Sequence, residues 1–219
     1  MKILLAWSSG KDSAYALHVL RQQRELEVAG LVTTLDAAAG RVAVHSVRES
    51  LLDAQAEAAG LPLWKVPLPW PCSNAQYEEA LGTALTSAKA QGIRGVAFGD
   101  LFLEDIRAWR EAQMARAGLT PIFPLWGRPT RALAEEMIES GLRAVVICVD
   151  CKRLPAQFAG RAFDHAFLAD LPAETDACGE RGEFHTFAWA GPMLRASIPV
   201  RPGELSELNG FAYSDLQPV

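Results

Sequence analysis

The sequence predicts an α/β fold: a parallel sheet covered by helices on both faces, with a smaller α+β part appended at the C-terminal end. Three observations predict it. Strand-like and helix-like segments alternate through the first two-thirds of the chain. The apolar run Ile3-Leu4-Leu5 ends in a polar turn that opens a helix-patterned segment. After residue 150 the alternation gives way to frequent prolines and glycines.

Each element has its own signal. Residues 2–7 read as a strand and 13–24 as a helix. Val28 to Thr34 is a second strand. Residues 46–59 put Val47, Leu51, Leu52 and Ala56 at helical spacing and stop at Gly60. Leu63 to Val66 is a third strand. Pro67, Pro69 and Pro71 bar the next stretch from a central strand, which leaves a rigid lip or a plain loop. Ser73 and Gln76 form a capping box that opens a helix to about residue 91, and Gly92 stops it. Gly95 to Gly99 is a fourth strand, followed by a helix over 105–117. Ile122 to Leu125 is a short extended piece, 130–140 is helical, and 143–149 is a further strand of the alternation. Phe184 to Trp189 reads as a strand of the appended part. In a parallel sheet, ligands sit beyond the carboxyl ends of the strands. Three polar clusters fall there: the first turn, Gly99-Asp100, and the segment after Val149.

The 219 residues, half of them apolar, supply ample material for a core. Mean hydropathy is +0.07, and no apolar run approaches a membrane span. Lys2 precedes an apolar run of five residues, shorter than the about 7–15 of a secretory signal, so a cytoplasmic protein is expected. A net charge of −5 argues against a nucleic-acid partner. The four cysteines are expected to be reduced. Cys148 and Cys151 have metal-like spacing, but no second pair completes a ligand set, and Cys148 ends an apolar strand. No metal site is expected from protein ligands alone.

The chemistry concentrates in Ala6-Trp7-Ser8-Ser9-Gly10-Lys11-Asp12-Ser13. A strand, a tight turn and a helix N-terminus in that order make an anion site, because the first helical amides lack internal partners and the macrodipole adds positive charge. Gly10 permits close approach, Lys11 adds a charge, and the serines add hydroxyl donors. The Walker pattern fails twice, with Leu5 at its first glycine and Asp12 after its lysine. The Gly-x-Gly-x-x-Gly fingerprint is absent here. Ser8-Ser9-Gly10-Lys11-Asp12-Ser13 resembles the PP-loop of the ATP pyrophosphatase superfamily, normally Ser-Gly-Gly-Lys-Asp-Ser, with Ser9 in place of a glycine. That resemblance implies a Rossmann-like sheet of PP-loop ATPase type. It also implies ATP cut between its α and β phosphates, with Mg²⁺ bridging phosphate oxygens.

Further stretches narrow the resemblance. They are Val44-His45-Ser46-Val47-Arg48, Gly99-Asp100, Arg107-Ala108-Trp109-Arg110-Glu111, Pro124-Leu125-Trp126, and Cys178 to Thr186 (Cys-Gly-Glu-Arg-Gly-Glu-Phe-His-Thr). In this order the chain resembles the diphthine–ammonia ligase family from about Lys2 to Pro199. The resemblance implies residues 1–127 as a nucleotide-binding domain and 128–219 as a substrate-binding part. It implies a carboxylate, small-molecule or protein-borne, adenylated with release of pyrophosphate and then captured by ammonium as an amide. Ser8, Ser9, Gly10, Lys11, Asp12 and Ser13 would hold the nucleotide, with His45 and Gly99 close to it. Lys11, Asp12, Asp100, Glu183 and His185 would be catalytic. Arg107, Arg110, Glu111, Glu180, Glu183, His185 and Thr186 would face the acceptor or ammonium. A homodimer is compatible with this reading.

Plainer readings stand beside these. His45 reads equally as a strand histidine, Asp100 as a helix cap, Arg107, Arg110 and Glu111 as a solvated helix face, and Glu180 to Glu183 as a charged turn. Trp109 and Trp126 read as core. The diphthamide-forming members carry Glu-Gly-Gly-Glu-Phe/Tyr-Glu-Thr, whereas Arg181 and His185 stand here at the first glycine and last glutamate. The histidine form resembles a bacterial branch, which points away from diphthine and toward another acceptor, a corrinoid-related carboxylate among them. Two rival functions remain: a PP-loop tRNA sulfurtransferase using Cys148, Cys151 or Cys178, and a nucleotide-binding sensor without chemistry.

Overall fold

The structure is a computed structural model that describes residues 1–42, 47–69 and 71–219. His45 lies outside the described residues. The first sheet is built from β1 (Lys2–Ala6), β2 (Glu27–Asp36), β3 (Arg41–Val42), β4 (Leu63–Leu68), β5 (Gly95–Ala97) and β6 (Thr120–Ile122). Five of these strands run parallel in the order β4-β2-β1-β5-β6, and short β3 pairs antiparallel with the end of β2. The helices are α1 (Lys11–Leu20), α2 (Glu49–Ala59), α3 (Asn74–Ala90), α4 (Glu104–Ala117), α5 (Thr130–Glu139) and α6 (His165–Asp170).

The two faces of the sheet explain its apolar strands. Ile3 and Leu5 of β1 point into a cluster with Leu17 of α1, Leu51 of α2 and Met137 of α5. Leu4, between them, points the other way into a cluster with Leu81 and Leu85 of α3 and Met114 of α4. Successive side chains alternate across a strand, so a strand covered on both faces must be apolar throughout. The helix signals are realised at their ends. Ser73 accepts from the Gln76 amide and Gln76 reciprocates at the start of α3. Gly60 closes α2 at φ +66°, the left-handed conformation that glycine adopts without strain. Pro67 lies inside β4, which extends to Leu68, and this is permitted because β4 is at the sheet edge. The first helix begins at Lys11, two residues earlier than expected, so Lys11 and Asp12 belong to its first turn.

The further strand of the alternation, 143–149, corrects the sequence reading. It is β7 (Arg143–Asp150), and it belongs to a second, antiparallel sheet with β8 (Phe184–Ala190), β9 (Val200–Leu208) and β10 (Phe211–Pro218), in the order β8-β7-β10-β9. Residues Ala144 to Val149 are all buried. Such a run looks the same whether its covering layers belong to a parallel or an antiparallel sheet, so periodicity could not assign it. The segment after Val149 therefore does not join the other two clusters at the carboxyl end of the parallel sheet.

One apolar cluster runs from the first sheet through α1 and α5 into the second. The cluster includes a group of phenylalanines, with Phe167 and Phe184 ring centroids 5.0 Å apart at 75°, an edge-to-face contact. Among the described residues no helix is long and apolar enough to cross a membrane.

Candidate functional site

Strands β1 and β5 are neighbours, but the chain leaves them toward opposite edges of the sheet, β1 toward β2 and β5 toward β6. That is a topological switch point, and it opens a crevice beyond the two strand ends. A cavity of about 570 Å³ occupies it. Ser8, Gly10, Asp12 and Ser13 line one side, with Gly99 and Asp100 beside them. The loop of residues 176–183 and the start of β8 close the cavity from above through Glu180, His185 and Thr186.

The turn itself is tightly determined. Ser9 takes φ +71°, a left-handed conformation costing a residue with a side chain about 1–2 kcal/mol. Ser8 Oγ lies 3.2 Å from Ser13 Oγ, and Ser13 Oγ donates to the Gly10 carbonyl at 3.0 Å. The Lys11 amide donates to Thr186 Oγ1 at 3.1 Å, so a side chain from the second sheet supplies the partner that a helix N-terminus lacks. A methyl group on Gly10 would sit 3.3 Å from the Thr186 carbonyl. The close approach this glycine allows is therefore to β8.

Lys11 is a buried cation. Its side chain is 2% exposed, Nζ lies 2.9 Å from Asp12 Oδ2 and donates to the Cys178 carbonyl, and the rings of Phe163 and Phe184 lie 5.4 and 5.3 Å away. Burial pulls its pKa down, but Asp12 and, more weakly, Glu180 outweigh burial and hold it above its usual value. Glu180 is the opposite case. Burial pushes its carboxyl up to about 7; the Leu101 amide, which it accepts at 2.8 Å, pulls it down, and Asp12 and Asp100 push it further up. A carboxyl poised near neutrality in a crevice is suited to moving a proton.

The remaining candidates divide into two groups. Asp100 does not cap α4, whose N-cap is Leu103; it pairs with Arg110 at 3.2 Å, and Arg110 lies over the rings of Phe98 and Trp109. Both line the cavity. Ser9, Arg107, Glu111 and Glu183 are not among its lining residues. Ser9 is fully buried. Arg107 pairs with Glu111 one turn along α4 and stacks on Phe123 and Trp126. Glu183 accepts from the Asp176 and Arg181 amides, which shapes the 176–183 loop. The other wall of the cavity escaped the sequence reading. It is apolar, formed by Tyr77, Leu81 and Leu85 of α3, Trp109 and Met114 of α4, and Phe98. On helices these residues carry the same signal as ordinary core.

Two of the cysteines, Cys148 and Cys178, are poor nucleophiles. Cys148 is buried, and burial raises its thiol to about 11; burial raises Cys178 further still. Cys151 is exposed. Among the described residues no group of three His, Cys, Asp or Glu side chains is arranged to hold a metal ion.

Family models decide where this architecture belongs. The diphthamide synthase N-terminal domain matches residues 1–121, and the diphthamide synthase C-terminal domain matches residues 129–214. The chain belongs to the diphthamide synthase family. Relatives named diphthine–ammonia ligase are similar over most of their length. The protein of Bos taurus is 24% identical over 235 residues, covering 98% of this chain and 88% of the relative. That of Danio rerio is 28% identical over 218 residues, covering 90% and 86%. That of Homo sapiens is 24% identical, covering 94% and 85%. In this member of the diphthamide synthase family, Arg181 lies over the Phe102 ring at 5.3 Å. Next to the Glu180–Leu101 bond, it ties the 176–183 loop to the segment that follows β5.

Proposed function

We propose that this chain is an ATP-dependent carboxylate–ammonia ligase resembling the diphthine–ammonia ligases to which it is similar. The observation that carries the reading is the crevice at the β1/β5 switch point. It brings a helix N-terminus, a carboxyl near neutral pKa and an apolar wall to one cavity. The residues present fit ATP. Tyr77 and Trp109, with ring centroids 5.7 Å apart and planes tilted by 40°, offer an aromatic wall to a base, and the start of α1 offers amides and hydroxyls to phosphates. They also fit Mg²⁺, which is commonly held by one or two carboxylates together with phosphate oxygens; Asp12 and Asp100 are the candidates. ATP supplies an adenylyl group that turns a carboxylate into an electrophile, with pyrophosphate as the leaving group.

The roles follow from chemistry. Ser8, Gly10 and Ser13 orient the phosphates, with Lys11 as a fixed positive charge beneath them. Arg110, held by Asp100, orients the acceptor carboxylate. Glu180 binds ammonium and takes the proton it must lose before nitrogen can attack. His185 and Thr186 border the same space, and His185, in place of an acidic residue, favours an acceptor other than diphthine. Residues 1–127 supply the nucleotide side, with Arg110 reaching the acceptor, and 128–219 the rest of the acceptor side of a cytoplasmic enzyme. The high thiol pKa values of Cys148 and Cys178 weigh against sulfur transfer through either of them.

The test is incubation with ATP, Mg²⁺, ammonium and a panel of acceptors, including diphthine-bearing elongation factor and corrinoid carboxylic acids. AMP, pyrophosphate and amide are expected in equal amounts with one acceptor. Nucleotide binding with no AMP across the whole panel would instead favour a sensor. Gly99→Ala probes the loop directly. Its added methyl would lie 3.1 Å from the Asp12 carbonyl carbon and the Ser13 amide nitrogen, and must displace the turn by a few tenths of an ångström. ATP affinity is expected to fall about tenfold, by calorimetry, with little change in Tm.

A further inference from the structure

We propose that Gln55, on α2 and outside the cavity, is the positioning residue that keeps the phosphate-binding turn in its working shape. The inference rests on the ligase reading above, because it takes ATP as the ligand of that turn. Gln55 is fully buried, and its amide makes three hydrogen bonds, with both N–H donors used. Oε1 accepts from Trp7 Nε1 at 2.8 Å. Nε2 donates to the Ser9 carbonyl at 3.0 Å and to the Ala188 carbonyl at 2.7 Å. The indole N–H can only donate, so it fixes which end of the amide faces which partner.

Ser9 needs this support. It holds φ +71° while its hydroxyl is buried without a hydrogen-bond partner, so its own side chain contributes nothing to the turn. What holds the conformation is its carbonyl, which accepts from both Gln55 Nε2 and the Ala188 amide at 3.0 Å. From α2, Gln55 thus joins two segments far apart in sequence: residues 7–9, where β1 passes into the turn, and Ala188 in β8. Without it, the strained Ser9 carbonyl keeps only the Ala188 amide, and the competent turn becomes a minority population. A ligand must then draw on that minority, which weakens its apparent affinity in proportion.

Glycine adopts a left-handed turn as readily as any other, so Ser9→Gly should remove the dependence on Gln55. The experiment is ATP calorimetry on wild type, Gln55→Met, Ser9→Gly and the double variant, each below its Tm. Methionine preserves the volume and removes the polar contacts. Gln55→Met should weaken ATP about tenfold, while Ser9→Gly stays within about twofold of wild type. The double variant should regain most of the affinity while its Tm stays below that of Ser9→Gly. Equal affinity in Gln55→Met and wild type, or the same loss in both backgrounds, overturns the proposal. Gln55→Glu keeps the test decisive if Gln55→Met does not fold. Its carboxylate repels the two carbonyls, but its protonated form can donate to one of them. Its ATP affinity relative to wild type should therefore rise as pH falls, and a flat ratio overturns the proposal. A wild-type chain that binds no ATP would overturn the ligase reading and this inference together; binding that ignores Gln55 overturns the inference alone.

Discussion

Lys11→Ala should lose about 3–5 kcal/mol of stability, and pyrophosphate release should drop about 10²–10³-fold. The stability loss has two sources. The side chain fills the space between the Phe163 and Phe184 rings, and its ammonium is the partner of both Asp12 and the Cys178 carbonyl. Truncation leaves a void, an unpaired buried carbonyl and a carboxylate without its cation. Lys11→Met separates these effects. Methionine fills most of the void and packs well against aromatic rings, so its cost should be about 1–3 kcal/mol. It supplies no charge, so the loss of pyrophosphate release should match that of alanine. Urea melts and a pyrophosphate-release assay on both variants check the pair. Wild-type release by Lys11→Met would show that the cation is only a strut.

Glu180→Gln is the second variant with a large expected effect. Glutamine keeps an oxygen for the Leu101 amide, so the loop stays in place. It cannot take a proton. Amide formation should fall about 10²–10⁴-fold, while pyrophosphate exchange without ammonium persists. In the wild type, amide formation should rise with pH through about 7, as the carboxyl ionises, and the variant should lack that rise. Stability has the opposite slope. The folded carboxyl titrates near 7, against an ordinary value of 4.5, so between these the native state binds more protons than the unfolded chain. The stabilising contribution is complete below about 4.5 and is lost as pH rises through about 7. Tm measured across that window should decline less in Glu180→Gln than in the wild type. An identical decline in both would mean that the group responsible lies elsewhere.

Much of this architecture was legible in the sequence because its signals are local. The capping box at Ser73, the stop at Gly60 and the alternation of segments each act within a few residues, and each is realised. The position of β7 was not legible, because burial on both faces erases the period that would separate one sheet from another. Within the site, the turn and Gly99-Asp100 were visible as polar breaks after apolar runs, and both line the cavity. Glu180 and Glu183 looked alike as neighbouring acids in a charged turn. Only the fold distinguishes them, with one facing the crevice and the other spent on two amides of its own loop. Gln55 left no trace at all. An amide on a helix has no pattern until its three partners, from two segments distant in sequence, surround it.

The bond between the Lys11 amide and Thr186 spans 175 positions of chain. During translation the first turn leaves the ribosome long before the strand that completes it. At about 5–20 residues per second, that interval lasts on the order of ten to thirty seconds. Throughout it, a lysine destined for the interior stands in water, and the nascent N-terminal segment has no finished nucleotide site. Binding competence should therefore arrive late and all at once in a stalled-ribosome series, when Phe184 to Ala190 emerges.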